Sequence, residues 1–247
     1  MKENKQISEQ IPLSLPPQNC MSREDFMVSD CNAEAFRMID AWPDWLTSGL
    51  VIYGSKGCGK THLAHIFADK VMQNSAKPIK VGIIKAAQLT VTRVKRLAQE
   101  NASIVVEDIE PKIDNEALFH LFNIYNTAGR YMLLTSENAP TRMRFTLKDL
   151  QSRLNMLPSI EIKEPDDVML QTLIVKLFND RQLLISEEIL NYIMNNAQRS
   201  FAYIQALVEA VDYISLIRKS AVNYAIIRAA MEVVEHEKMN EPDLFDY

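Results

Sequence analysis

Four short apolar runs mark the first two-thirds of the chain: GLVIYG from Gly49, KVGIIKA from Lys80, SIVVED from Ser103 and YMLLTS from Tyr131. Each is bounded by polar, glycine or proline signals, the pattern of a buried strand. Helical patterns such as THLAHIFADKVM separate them. Strands that alternate with helices pair in parallel through crossover helices, so the expected fold is α/β, a parallel sheet sandwiched by helices. After EPDD the period changes. Met169, Leu173, Ile174, Leu177 and Phe178 recur at helical spacing, as do Ile185, Ile189, Ile193, Met194 and Ala197, then Ile204, Leu207, Val208, Val211 and Ile214. A last helix is expected through NYAIIRAAMEVV. Pro165, Asp166 and Asp167 form a helix-start signature, with proline tolerated in the first turn and acids facing the positive dipole end.

The organisation read from this pattern is a tail over 1–21, an α/β domain over 22–164, a small helical domain over 165–238 and an acidic tail over 239–247. Pro12, Pro16 and Pro17 break regular structure in the first tail. The methionines at helical spacing read as bundle core rather than a binding surface.

Composition narrows the function classes. A chain of 247 residues with 47% hydrophobic content can bury a full core in one or two domains. A net charge of −5 supplies no global basic field for a polyanion, so autonomous DNA binding is not expected. Cys20, Cys31 and Cys58 form neither an even set nor a metal-like spacing, which suits a reducing cytosol. The polar start MKENKQISEQ has no apolar signal core, and no run approaches a membrane span. A cytoplasmic protein without a membrane partner is expected.

Of the six glycines, Gly54, Gly57 and Gly59 fall within GSKGCGKT, residues 54–61. The segment fits GxxxxGK[ST] between a strand and a helix, the order that a phosphate-binding loop requires. Such glycines let backbone amides curl round phosphates while the following helix adds its positive end. ADP or ATP with Mg2+ is therefore the expected ligand, bordered by Gly54, Gly57, Cys58, Gly59, Lys60, Thr61 and His62. Lys60 would reach the β/γ-phosphates and Thr61 would ligate magnesium. Cys58 reads as tolerated rather than catalytic, and packing rather than metal binding is the expected role of His62 and His65. A magnesium carboxylate is needed at a neighbouring strand end, and Glu107 and Asp108 are both candidates. Thr135 and Ser136 end a further strand where a polar side chain can sense the γ-phosphate or the attacking water.

The loop at 54–61, the acidic strand end at 107–108, the LLTS strand, LKDLQSRL and the helical unit together resemble the AAA+ ATPases, and within them the DnaA group. SREDFMVSDCNAEAF resembles that group's entry segment, which implies that Phe26 and Val28 border the adenine. DnaA initiators continue into a helix-turn-helix domain, whereas this sequence reaches MNEPDLFDY soon after the helical unit. With QIPLSLP near its start, it is similar to the Hda type of DnaA-related regulator, in its alphaproteobacterial form.

That resemblance implies an adaptor that negatively regulates replication initiation. Gln10, Ile11, Leu13, Leu15 and Pro16 would dock on the DNA polymerase III beta sliding clamp, with prolines limiting the entropy lost on ordering. Arg153 in LQSRLN matches the arginine that AAA+ members present to a neighbour's nucleotide, here to ATP held by DnaA. DNA would be met only through the clamp, and a homo-oligomer is compatible with the family. Arg142, Arg144 and Lys148 read as a solvated charge run. Two departures bear on chemistry: Glu107 stands where the family's magnesium ligand is usually Asp, and Ala202 stands where the lid carries a nucleotide-sensing arginine, with Arg199 three residues earlier. Weak intrinsic hydrolysis is the expected consequence. The rivals are an autonomous AAA+ ATPase that remodels a protein or loads a helicase, and an interaction module with an unfilled loop.

Overall fold

The computed structural model describes residues 21–75 and 78–240, and side chains within these as far as residue 236. The clamp-docking candidates Gln10, Ile11, Leu13, Leu15 and Pro16 lie outside the described residues, as does PDLFDY.

Five parallel strands form one sheet in the order β2-β3-β4-β1-β5. They are β1 (Gly49–Gly54), β2 (Val81–Lys85), β3 (Ser103–Glu107), β4 (Met132–Ser136) and β5 (Ser159–Ile162). The first four are the expected apolar runs. β5 was not expected: SIEI is short, and Ser159 and Glu161 are exposed because it lies at the sheet edge. In the three central strands alternate residues face opposite layers, so both faces need apolar side chains and the runs lose their polar alternation.

One face packs Val51, Ile104, Val106, Met132 and Leu134 against α3 (Val91–Glu100), α4 (Asn115–Thr127) and α5 (Lys148–Met156). The other packs Leu50, Ile52, Val105, Leu133 and Ile162 against α1 (Ala33–Asp40) and α2 (Lys60–Gln73). Phe67 of α2 is fully buried there beneath the rings of Trp42 and Trp45.

The remaining helices, α6 (Asp167–Asp180), α7 (Glu187–Asn196), α8 (Phe201–Arg218) and α9 (Tyr224–Asn240), have their own core of Leu170, Ile174, Phe178, Ile193, Ile204, Leu207, Val211 and Ile227. Caps set their starts. The Asp166 carboxylate accepts the Met169 N–H at 2.7 Å, and the Ser186 and Ser200 hydroxyls accept those of Ile189 and Tyr203. Each cap satisfies an amide that lacks a helical partner. α9 continues to Asn240, two residues past the expected end of the helical domain at 238.

Candidate nucleotide site

The loop between β1 and α2 sits at the carboxyl end of the sheet, where the ends of β3 and β4 also lie. Gly57 has φ +75°, a left-handed conformation that side-chain-bearing residues adopt at a cost. It is also tightly approached: a β-carbon there would meet the Ala202 N and Cα atoms of α8 at 2.9 and 3.0 Å. The start of α8 therefore touches the phosphate-binding loop, and Ala202 occupies the contact.

Lys60 is only 8% exposed. Its Nζ donates to the carbonyls of Gly54 at 2.7 Å and Ser55 at 2.8 Å, so the ammonium lies inside the loop that curls round it. Thr61 is exposed at the first turn of α2. Cys58 is buried; loss of hydration pushes its thiol above the usual range, with Lys60 opposing. A neutral thiol in that position is packing rather than a nucleophile.

The two candidate magnesium carboxylates diverge. Glu107 ends β3, is 8% exposed, and its Oε1 is buried with no hydrogen-bond partner among the described residues. Asp108 is exposed and takes φ +57°. An unpartnered buried carboxylate oxygen is costly, and a cation beside it removes that cost. The buried oxygen of Glu107 thus fits a cation ligand, and the exposed Thr61 hydroxyl leaves a second oxygen donor on the loop. No cluster of three or more His, Cys, Asp or Glu that could hold a metal occurs among the described residues, so an ion here would take waters or phosphate oxygens as further ligands.

Thr135 braces the same strand end. Its Oγ1 accepts the Asp108 N–H at 3.1 Å and its carbonyl accepts the Ile109 N–H at 2.8 Å, leaving the hydroxyl proton free to donate. Ser136 donates to the Asn138 carbonyl at 2.8 Å and is fully buried, so its proton is already used.

The entry segment closes the other side. Phe26 lies 3.1 Å from where a β-carbon on Gly59 would sit, stacks on Phe36 at 5.5 Å and meets the His62 edge at 5.1 Å. Val28 is half exposed. His62 Nε2 lies 2.7 Å from the Ser22 carbonyl, and burial pulls its pKa below the usual imidazole range. From the helical unit, Lys176 Nζ donates to the Asp25 carbonyl at 2.6 Å. Sequence reasoning missed this tie because a lysine on an amphipathic helix reads as solvated.

A groove of about 490 Å3 lies elsewhere, lined by Ser22, Arg23, Asp40, Ile66, Lys70 and Gln73. Volume is a poor guide here. Its walls are held by Arg23 and Lys70 on Asp40, and the Arg23 hydrogen bond keeps that carboxylate below its usual pKa. It is a seam joining the entry segment to α1 and α2.

Arg153 stands apart from its own chain's loop, in the last turn of α5. Its guanidinium carbon lies 5.2 Å from the Phe119 ring centroid and 5.8 Å from that of Phe122. The two rings, absent from the sequence reading, hold the cation by their negative faces.

The model of the bacterial DnaA ATPase domain matches residues 21–161. The chain belongs to that family. The DnaA-type domain is 26% identical over 203 residues to the chromosomal replication initiator DnaA of Flavobacterium psychrophilum, covering 75% of this chain and 41% of that protein. It thus spans less than half of that relative. Among solved structures, domain III of Thermotoga maritima DnaA superposes with a TM-score of 0.76 at 20% identity, over 89% of this chain and 98% of that one. AMPPCP-bound DnaA from Aquifex aeolicus gives a TM-score of 0.62 at 18% identity, over 91% and 84%. These likenesses establish the fold, an AAA+ α/β module with a helical carboxyl-terminal part. No helix among the described residues of the DnaA-type domain is long and apolar enough to cross a membrane.

Proposed function

We propose that this DnaA-type domain is an adaptor whose decisive chemistry occurs on a nucleotide held by another protein. The peptide containing Gln10, Ile11, Leu13, Leu15 and Pro16 docks on the DNA polymerase III beta sliding clamp. The α/β domain and its helical lid pair with ATP-bound DnaA, and Arg153 stabilises the charge that develops as DnaA's ATP is hydrolysed. Initiation is thereby switched off in the cytoplasm once clamps are loaded, and DNA is reached only through the clamp. One observation carries this reading: the Arg153 guanidinium rests over two rings and forms no ion pair among the described residues, so its donors remain available to a partner.

The domain's own loop holds ADP or ATP as an assembly signal. Lys60 and the loop amides bind phosphates, Thr61 and Glu107 hold Mg2+, Thr135 offers a proton to a phosphate oxygen or water, and Phe26 with Val28 borders the base. That the Aquifex aeolicus DnaA of similar fold binds AMPPCP supports a nucleotide as the ligand. When bound, the ion neutralises phosphate charge. With Ala202 at the lid contact, no lid arginine follows the γ-phosphate there, and intrinsic turnover is weak.

The test is hydrolysis of DnaA-bound ATP in the presence of DNA-loaded clamp, with the intact chain or Arg153→Ala. Acceleration lost in the variant supports the adaptor. No acceleration by the intact chain, with clamp binding verified, favours an autonomous ATPase.

A further inference from the structure

The helical unit meets the loop through a polar side chain as well as through Ala202. Gln205 Oε1 lies 3.1 Å from the point that a β-carbon on Gly57 would occupy, the same point approached by the Ala202 backbone. Residues 202 and 205 are one turn apart on the same helix face. Ala202 carries no functional group, so Gln205 is the polar group that α8 sets against the phosphate-binding loop. Arg199, just before the helix, has its Nη1 2.6 Å from the Asp167 carboxylate, and its charge is already paired.

We propose that Gln205 is the helical unit's ligand for the nucleotide's phosphate chain, and that, being neutral, it adds no preference of its own between ADP and ATP. The inference rests on residues 54–61 being a nucleotide-binding loop. A glutamine amide carries an acceptor oxygen and a two-proton donor, and half a turn about its last bond exchanges them. Gln205 is exposed, so packing does not fix which end faces the loop. Turned inward, the NH2 donates to a phosphate oxygen. A guanidinium would gain attraction with the extra charge of a γ-phosphate, because Coulomb energy scales with the product of charges. A neutral amide gains only its hydrogen bond, which ADP and ATP both satisfy.

The experiment is equilibrium fluorescence titration of the full chain with mant-ADP and mant-ATP, in Mg2+, for the intact protein, Gln205→Leu, Gln205→Arg and Lys60→Ala. The intact protein sets the reference ratio of the two Kd values, to which Lys60 and Mg2+ contribute, and Gln205→Leu should leave that ratio unchanged. Gln205→Leu should weaken both by about fivefold, the equivalent of one such bond. Gln205→Arg should move the ratio toward ATP by about tenfold or more, as a charge-assisted contact would. Unchanged affinities in Gln205→Leu, a ratio shifted by Gln205→Leu, or an unmoved ratio in Gln205→Arg would overturn the proposal. Binding that Lys60→Ala abolishes but the Gln205 variants do not alter would overturn it while sparing the loop reading. Absence of any binding by the intact protein would overturn both. Circular dichroism melts check that each variant folds, as an exposed position should allow.

Discussion

Gly57→Ala tests the contact between loop and lid, and Gly129→Ala is its natural control. Both glycines have left-handed backbones, φ +75° and +61°. An L side chain in that region costs about 1–2 kcal/mol. At Gly129 nothing lies within 4 Å of the new methyl, so that cost is the whole expected effect. At Gly57 the methyl meets backbone atoms of α8 at 2.9 and 3.0 Å. Backbone has no rotamer by which to escape, so either the loop or the start of α8 must move, adding an overpacking cost of about 1–3 kcal/mol. Gln205 can swing aside and adds little. Equilibrium urea unfolding followed by far-ultraviolet circular dichroism should therefore give losses of about 1–2 kcal/mol for Gly129→Ala and about 2–5 kcal/mol for Gly57→Ala. An early transition seen only in Gly57→Ala, from release of α6–α9, would express the same strain. Losses equal within about 0.5 kcal/mol, the usual size of an inconsequential surface change, would show that α8 does not press on the loop.

Glu107→Gln should leave nucleotide binding in EDTA nearly unchanged while abolishing most of its Mg2+ dependence, read by isothermal titration with and without the ion; a full Mg2+ response in the variant would remove Glu107 from the site. Burial holds the folded-state pKa of His62 below the unfolded value of about 6.5, so the unfolded chain takes up the proton first. Stability linked to His62 is thus complete above that pH and lost as pH falls below it. Melting temperatures measured from pH 8 to 5 should fall less steeply in His62→Gln than in the intact protein. Lys176→Met removes a charge-assisted bond to the Asp25 carbonyl, worth about 1.5–3 kcal/mol, and should speed amide exchange around Phe26 without slowing clamp binding; unchanged exchange would make the tie incidental.

The three central strands were legible because burial on both faces strips them of polar residues, and β2, at one edge, because Val81, Ile83 and Ile84 keep its run apolar. β5 was not, since one side of an edge strand meets solvent and Ser159 and Glu161 interrupt the run. The loop's place between β1 and α2 was legible, as its glycines answer to local backbone conformation. What lay beyond sequence were the choices made by packing. Glu107 and Asp108 are adjacent acids, and only the fold buries one and turns the other outward. Gln205 is a surface residue on the polar side of a helix, distinguished solely by where α8 begins. Phe119 and Phe122 carry no mark of a role in the sequence; only α5 brings Arg153 over their rings.

The strand order has a consequence for how the molecule comes into being. β1 carries the phosphate-binding loop, yet its neighbours are β4 and β5; Val51 pairs with Leu134 on one side and Ser159 on the other. A nascent chain that has emerged only as far as α4 holds the complete glycine-rich sequence with no sheet to anchor it. Pairings between segments so distant in the chain are slow, because the intervening chain must be closed before any contact rewards it. The ribosome must therefore release more than half of the polypeptide before the loop acquires a shape that a nucleotide can recognise, and ligand capture becomes a late event of synthesis rather than a seed for it.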